Sequence, residues 1–233
     1  MAVLRIATES EGTPAEEQTA FAGLPALAAL LPHAVSPRGL LVEWLSEGSG
    51  SGVVSLAARS VLQQLEQTAW AVIDPDGDFF PAMCGWSPSM SRPLVLRPGS
   101  AQDLFWTVEQ CLRCPGLGLT WCRVERAPPL VLRRWKLAAE TGGGTGFLFR
   151  PASARKQPTW ADLRWLVTTQ PGTAAGRRWR IETLYCRGGF SGAAVILEQH
   201  HATGAVRVVA ELGSATGAPR TPQAARAGAG AVC

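Results

Sequence analysis

The sequence predicts an α/β fold: a mainly parallel sheet flanked by helices, with an antiparallel β extension at the C-terminus. Three observations predict it. From Leu24 to Arg150, apolar runs of strand length alternate with amphipathic helical stretches, the pattern of right-handed crossovers around a parallel sheet. The run Gly39-Leu-Leu-Val-Glu-Trp-Leu45 is apolar almost throughout, as suits a strand covered on both faces. After Arg150 the helical periodicity stops, and strand-like segments take over, separated by turns rich in Gly, Pro and Thr.

The elements follow in order. Residues 1–22 are acidic and polar and read as a flexible N-terminal arm. Leu24 to Leu31 is a short apolar helix ended by Pro32, and Gly39–Leu45 is the first strand. The loop Ser46-Glu-Gly-Ser-Gly-Ser-Gly52 then opens a helix from Val53 to Glu66. Trp70–Asp74 is a second strand, stopped by Pro75-Asp-Gly-Asp78, and Pro93–Arg97 a third. Ala101–Arg113 is a helix with Leu104, Phe105, Val108 and Leu112 on one face. Leu117–Val124 is a strand, Leu130–Glu140 a helix whose end suits the glycines at 142–144, and Gly146–Arg150 a strand. Residues 23–150 thus form the core. The extension, 151–213, holds strands at Leu163–Thr169, Arg178–Cys186, Ala193–Glu198 and Val206–Leu212, and 214–233 read as a disordered tail.

Composition narrows the function. The chain has 233 residues, 46% hydrophobic and 17% charged, so neither disorder nor a coiled coil is expected. No run reaches 18 apolar residues and no signal core stands at the start, so the expected location is cytoplasmic, without a membrane partner. Of 22 basic residues only Lys136 and Lys156 are Lys. Residues 1–150 carry net charge −2 and residues 151–233 net +6. The arginines suit phosphate or carboxylate partners, but a GC-rich genome produces the same bias.

The glycine-rich loop between a buried strand and a helix, Gly48, Ser49, Gly50, Ser51 and Gly52, has the geometry that cradles phosphate. Its chemistry is degenerate. Aligning Gly52 with the last glycine of G-x-x-x-x-G-K-[ST] puts Glu47 at the first glycine, Val53 at the lysine and Val54 at the magnesium-binding hydroxyl. Phosphoryl transfer depends on those positioning and neutralising groups, so no ATP, magnesium or other cofactor is expected and no catalytic residue is assigned.

The order of elements resembles the RecA-type ATPase core, with Leu41-Val-Glu-Trp-Leu45 before the degenerate loop and Ala71-Val-Ile-Asp-Pro-Asp76 at the strand that carries the acidic catalytic residue there. Asp76 falls near that position but also reads as an ordinary turn acid. More closely, the chain is similar to the ImuA family, RecA-like accessory proteins of inducible mutagenesis. The matching pieces are Leu27-Ala-Ala-Leu-Leu-Pro32, Pro37-Arg-Gly-Leu-Leu-Val-Glu43, Val131–Glu140, Leu163-Arg-Trp-Leu-Val167 and Arg178–Gly189, spanning residues 24 to about 212. The resemblance implies a RecA-like sheet and a role in the SOS response and translesion DNA synthesis. The implied partners are an ImuB-like protein, a damage-tolerant DnaE-type polymerase and RecA, with association to the nucleoid when active. The second acidic ATPase motif is missing, since the fourth strand reads Leu119-Thr-Trp-Cys-Arg-Val-Glu125. A weak nucleotide-binding recombinase-type ATPase and a structural partner of an ATP-competent RecA-like subunit stand as alternatives.

Candidate contacts to single-stranded DNA or a partner are Arg177, Arg178, Arg180 and Arg187, interleaved with Trp179 and Tyr185, and Arg133 and Arg134 beside Trp135 and Lys136. Strand alternation puts Arg178, Arg180, Glu182 and Leu184 on one face and Trp179, Ile181 and Thr183 on the other, which points Trp179 into the core. Trp44, Trp70 and Trp121 read as core residues, and Trp86 as a loop residue suited to contacts. The six cysteines include Cys111-x-x-Cys114 with Cys122 beyond, which read as core thiols rather than a zinc site completed by Cys84. His200-His201 reads as a surface pair at a hairpin tip.

Overall fold

A computed structural model describes residues 21, 23–28, 30–31, 38–48, 50–61, 68–80, 91–189 and 191–212. The expectations for most of the N-terminal arm, the C-terminal tail, Ser49, Cys84 and Trp86 lie outside them. The described strands are β1 (Leu41–Ser46), β2 (Ala69–Ile73), β3 (Leu94–Leu96), β4 (Leu117–Arg123), β5 (Thr145–Pro151), β6 (Leu163–Gln170), β7 (Gly176–Cys186), β8 (Ala194–His200) and β9 (Val206–Leu212). The helices are α1 (Pro25–Ala28), α2 (Val53–Ser60), α3 (Ala101–Arg113) and α4 (Pro129–Gly142). All nine strands share one sheet, in the order β3-β2-β4-β5-β1-β6-β7-β8-β9.

The fold is the predicted α/β class, with one correction in the extension. β6 pairs parallel with β1, Glu43 standing opposite Arg164, so the antiparallel part starts only at β7. A buried charge cluster ties the two strands side by side. The fully buried Glu43 carboxylate accepts from Arg150 Nη1 at 2.6 Å, Arg164 Nε at 2.5 Å and Thr159 Oγ1 at 2.9 Å.

Two apolar layers cover the sheet. One face buries Trp44, Trp70, Trp121, Phe147, Trp165 and Trp179 with Val53 and Leu56 of α2. Trp44 meets Trp165 edge-on at 4.8 Å, a favourable aromatic geometry. The other face buries Leu41, Ile73, Cys122 and Leu148 against Val108 and Leu112 of α3 and Leu132 and Trp135 of α4. Trp44, Trp70 and Trp121 are therefore core residues, as expected. Both long helices have the ends their sequences specify. Ser100 Oγ caps α3 by accepting from Asp103 N at 3.1 Å. α4 begins at Pro129 and ends at Gly142, capped by Gly143, whose φ of 76° lies in the left-handed region.

The amino-terminal edge of β1 is fixed by Asp162. Its carboxylate accepts from Leu41 N at 2.8 Å and from Lys136 Nζ at 2.7 Å, with Arg187 Nη1 at 3.3 Å. Lys136 is thus turned inward, away from the candidate contact spot in which the sequence grouped it with Arg133 and Arg134. Burial opposes ionisation of the neighbouring Glu140, but hydrogen bonds from Lys136 and Arg187 outweigh it and hold the carboxyl below its ordinary range. No helix among the described residues is long and apolar enough to cross a membrane.

Candidate functional site

In an open α/β sheet, ligand crevices form beyond the carboxyl ends of the parallel strands, where neighbouring connections part. Here β1 lies between β5 and β6, and the chain after it passes through α2 to β2, beyond β5 and β4. At that place lies a cavity of about 570 Å³, lined by the loop of Gly48, Gly50, Ser51 and Gly52, the start of α2, the ends of β4 and β5, and Arg177. The sequence placed the loop correctly: it follows β1, opens α2 and walls the cavity.

Gly52 is required twice over. Its φ is 75°, and a Cβ there would stand 2.8 Å from Arg177 Nη1 and 3.0 Å from Trp179 Cζ2. β7 therefore holds the loop from outside. Trp179 Nε1 donates to Ser51 O at 2.7 Å, and Arg177 Nη2 donates to Gly50 O at 3.2 Å. Thr169 Oγ1 of β6 also reaches Ser51 O, at 3.5 Å. The Trp179 ring is buried, as strand alternation predicted, and the Arg177 guanidinium lies 5.8 Å from its centroid.

The first N–H groups of α2 have no partner within the helix and carry partial positive charge. Val53, Val54 and Ser55, which supply them, line the cavity. The side chains add little to that field. Val53 is packed into the core, and Val54 lies against it. Arg150 is bound to Glu43, and Arg123 Nη1 donates to Asp78 Oδ2 at 3.0 Å. Glu125 adds negative charge to the wall. Only Arg177 brings cationic charge to the loop without a carboxylate partner among its described contacts, and a backbone carbonyl and a ring already engage it.

Asp76 sits exposed at the turn after β2 and does not line the cavity. The buried acid of that turn is Asp74, whose Oδ1 accepts from Asp78 N at 2.9 Å and Phe79 N at 3.2 Å. It shapes the turn, an ordinary use of Asp after a strand.

The arginine cluster read from the sequence is not one surface. Arg177 and Arg187 are separated by ten residues of β7, about 33 Å of extended chain, so one meets the loop and the other Asp162 and Glu140 at the opposite edge. Arg178 lies on the other face with Glu198 at 2.6 Å, and Arg180 pairs with Glu182. Hydrogen bonds from Arg207 and Arg178 hold the Glu198 carboxyl below its ordinary range. On α4, Arg134 Nη2 is 2.5 Å from Glu109 Oε2 and Arg133 lies over the Trp160 ring. Carboxylates or rings engage these groups, so among the described residues these arginines form no continuous row of free guanidinium groups.

Burial pushes the Cys111 thiol up to about 11, with Cys114 adding to it, and raises Cys122 further. Among the described residues no group of three or more His, Cys, Asp or Glu is placed to hold a metal. Alkylation of the native protein at neutral pH should label the exposed Cys114 while sparing Cys111 and Cys122, as peptide mapping by mass spectrometry will read. Rapid labelling of Cys122 would contradict this burial. No family model matches the chain, and no curated protein matches it.

Proposed function

We propose that this chain is a non-hydrolysing accessory protein on a RecA-like scaffold, supporting damage-tolerant DNA synthesis by contacts with an ImuB-like protein, a DnaE-type polymerase or RecA. The single observation that carries the non-hydrolysing reading is the start of α2. Val53 and Val54 occupy the two positions where phosphoryl transfer needs a lysine and a metal-binding hydroxyl, while Arg177 and Trp179 brace the loop from β7. The repair role rests on the family resemblance of the segments between residues 24 and 212.

Purified protein is expected to give no magnesium-dependent ATP turnover above a protein-free blank. Single-stranded DNA is expected to bind weakly or not at all near physiological salt, because the candidate arginines do not form one row and most are engaged by carboxylates. Turnover lost on replacing Gly52 would overturn the non-hydrolysing reading. DNA binding with a steep salt slope would instead return the arginines to the phosphate backbone. The cavity at the loop favours a second reading, nucleotide binding without hydrolysis. Thermal stabilisation by ATP in the absence of turnover would select it.

A further inference from the structure

The motif Cys111-x-x-Cys114 closes α3, and the structure divides its two thiols by exposure. Cys111 is buried in the apolar layer beneath the helix, while Cys114, the C-cap residue, is exposed. This corrects the reading of Cys114 as a core thiol. The backbone ties the two residues together, Cys114 N donating to Cys111 O at 3.2 Å. A turn closed in this way keeps its end Cα atoms less than about 7 Å apart, and a disulfide spans Cα separations of about 4.4–6.8 Å. Helical residues three apart stand about 5–6 Å between Cβ atoms, somewhat more than the about 3.5–4.5 Å of a disulfide, so one end must shift. The helix end is pinned: a Cβ on Gly142 of α4 would stand only 2.1 Å from Leu112 O. Cys114 is the end free to move. It lies outside the helix with extended backbone, and Gly116 sets no side chain over its sulfur, since a Cβ there would come within 3.8 Å of Sγ.

We infer that Cys111 and Cys114 are a reversible thiol–disulfide pair, a modification site that exchanges with a small disulfide such as oxidised glutathione. The exchange runs in two displacements. Cys114 loses its proton to water, and its thiolate attacks one sulfur of oxidised glutathione, forming a mixed disulfide and releasing one glutathione thiolate. Cys111 then gives up its proton and attacks Cys114 Sγ, expelling the second glutathione. Two protein thiols are oxidised, one glutathione disulfide is reduced, and the two glutathione thiolates take up the protons. Exposure sets this order, because only Cys114 is open to the reagent. Burial holds Cys111 protonated at neutral pH, its thiol pushed up to about 11. The pair also sits at the carboxyl end of its helix, where the dipole disfavours a thiolate, whereas thiols at helix N-termini are activated. The exchange is therefore slow, which suits a modification site rather than a catalyst. The inference is independent of the accessory-protein reading, which stands or falls on other measurements.

Reduced full-length protein is incubated with oxidised glutathione at mildly alkaline pH, its remaining thiols are blocked with N-ethylmaleimide, and it is digested without reductant by trypsin and a Glu-specific protease. Cleavage after Glu109 and Arg113 puts Cys111 in residues 110–113 and Cys114 with Cys122 in residues 114–123. A bond between the pair links these two peptides, and fragmentation of the linked species in the mass spectrometer tells Cys114 from Cys122. The expected result is a Cys111–Cys114 link within one chain, reversed by dithiothreitol. Cys111→Ala should accumulate the Cys114–glutathione mixed disulfide at least tenfold above the parent. Cys114→Ser, a surface change that spares the core, should leave Cys111 unmodified. A mixed disulfide that persists on the parent, a link from Cys111 to Cys122, a Cys114 bond only to a second chain, or no modification of Cys114 would each overturn the inference.

Discussion

Replacing Glu43 by glutamine is expected to lower stability by about 3–5 kcal/mol, the usual cost of leaving buried charge without its partner. Glu43 has no exposed surface, and both its arginines are almost completely enclosed. Together the three side chains already carry one excess positive charge, and neither Arg150 Nε nor Arg164 Nη2 has a hydrogen-bond partner. Glutamine would keep one acceptor oxygen but remove the only negative charge, so two guanidinium groups would face each other in a water-poor interior. Urea denaturation would measure the loss as a lower midpoint at unchanged slope. The triple change Glu43→Leu, Arg150→Met and Arg164→Met should recover most of it, because apolar groups of similar volume need no counter-charge. A Glu43→Gln variant within about 1 kcal/mol of the parent would mean that water enters and shields the cluster.

That cluster also explains what the sequence did and did not disclose. Elements from Gly39 to Arg150 were legible because each carries its own periodicity and its own stop, such as Ser100 before α3 and Gly143 after α4. The direction of β6 was not legible from its apolar pattern, which fits either direction. What was available was a chemical signal for neighbours: Glu43, Arg150 and Arg164 are lone charges inside apolar runs, and buried charges must find one another, which brings β1, β5 and β6 together but leaves direction open. The loop was readable because backbone and glycine positions define it locally. The arginines were legible in their alternation but not in their partners. Arg177, Arg178 and Arg180 are neighbours in sequence, but alternation sends Arg177 and Trp179 to one face and Arg178 and Arg180 to the other. Their partners, Gly50, Glu198 and Glu182, are supplied by the loop, by the neighbouring strand β8 and by β7 itself. The exposed leucines of α4 likewise emerge only when packing shows that Trp135 and Lys136, not Leu130 and Leu137, take the inner side.

Trp179→Ala should cost about 3–5 kcal/mol, as expected for a large buried aromatic reduced to a methyl group. It should also release the glycine loop. The indole fills the space beside Gly52 and donates to Ser51 O at 2.7 Å, so one side chain both packs against the loop and bonds it. Trp179→Phe separates the two effects. The benzyl group keeps much of the packing but loses the donor, leaving the Ser51 carbonyl with the longer 3.5 Å contact from Thr169, at an expected cost of about 1–3 kcal/mol. Hydrogen exchange over residues 50–56 distinguishes them. Faster exchange in both variants, beyond what the global stability change accounts for, would show that the indole N–H holds the loop. Parent-like exchange in Trp179→Phe would place that role on Arg177 instead. The distinction bears on function, because loops of this shape elsewhere are completed by a phosphate on their N–H groups. Here a carbonyl of the loop is engaged by β7 and the lysine position is valine. Bonds from β7 hold Gly50 and Ser51 without a nucleotide, which supports the proposed non-hydrolysing role.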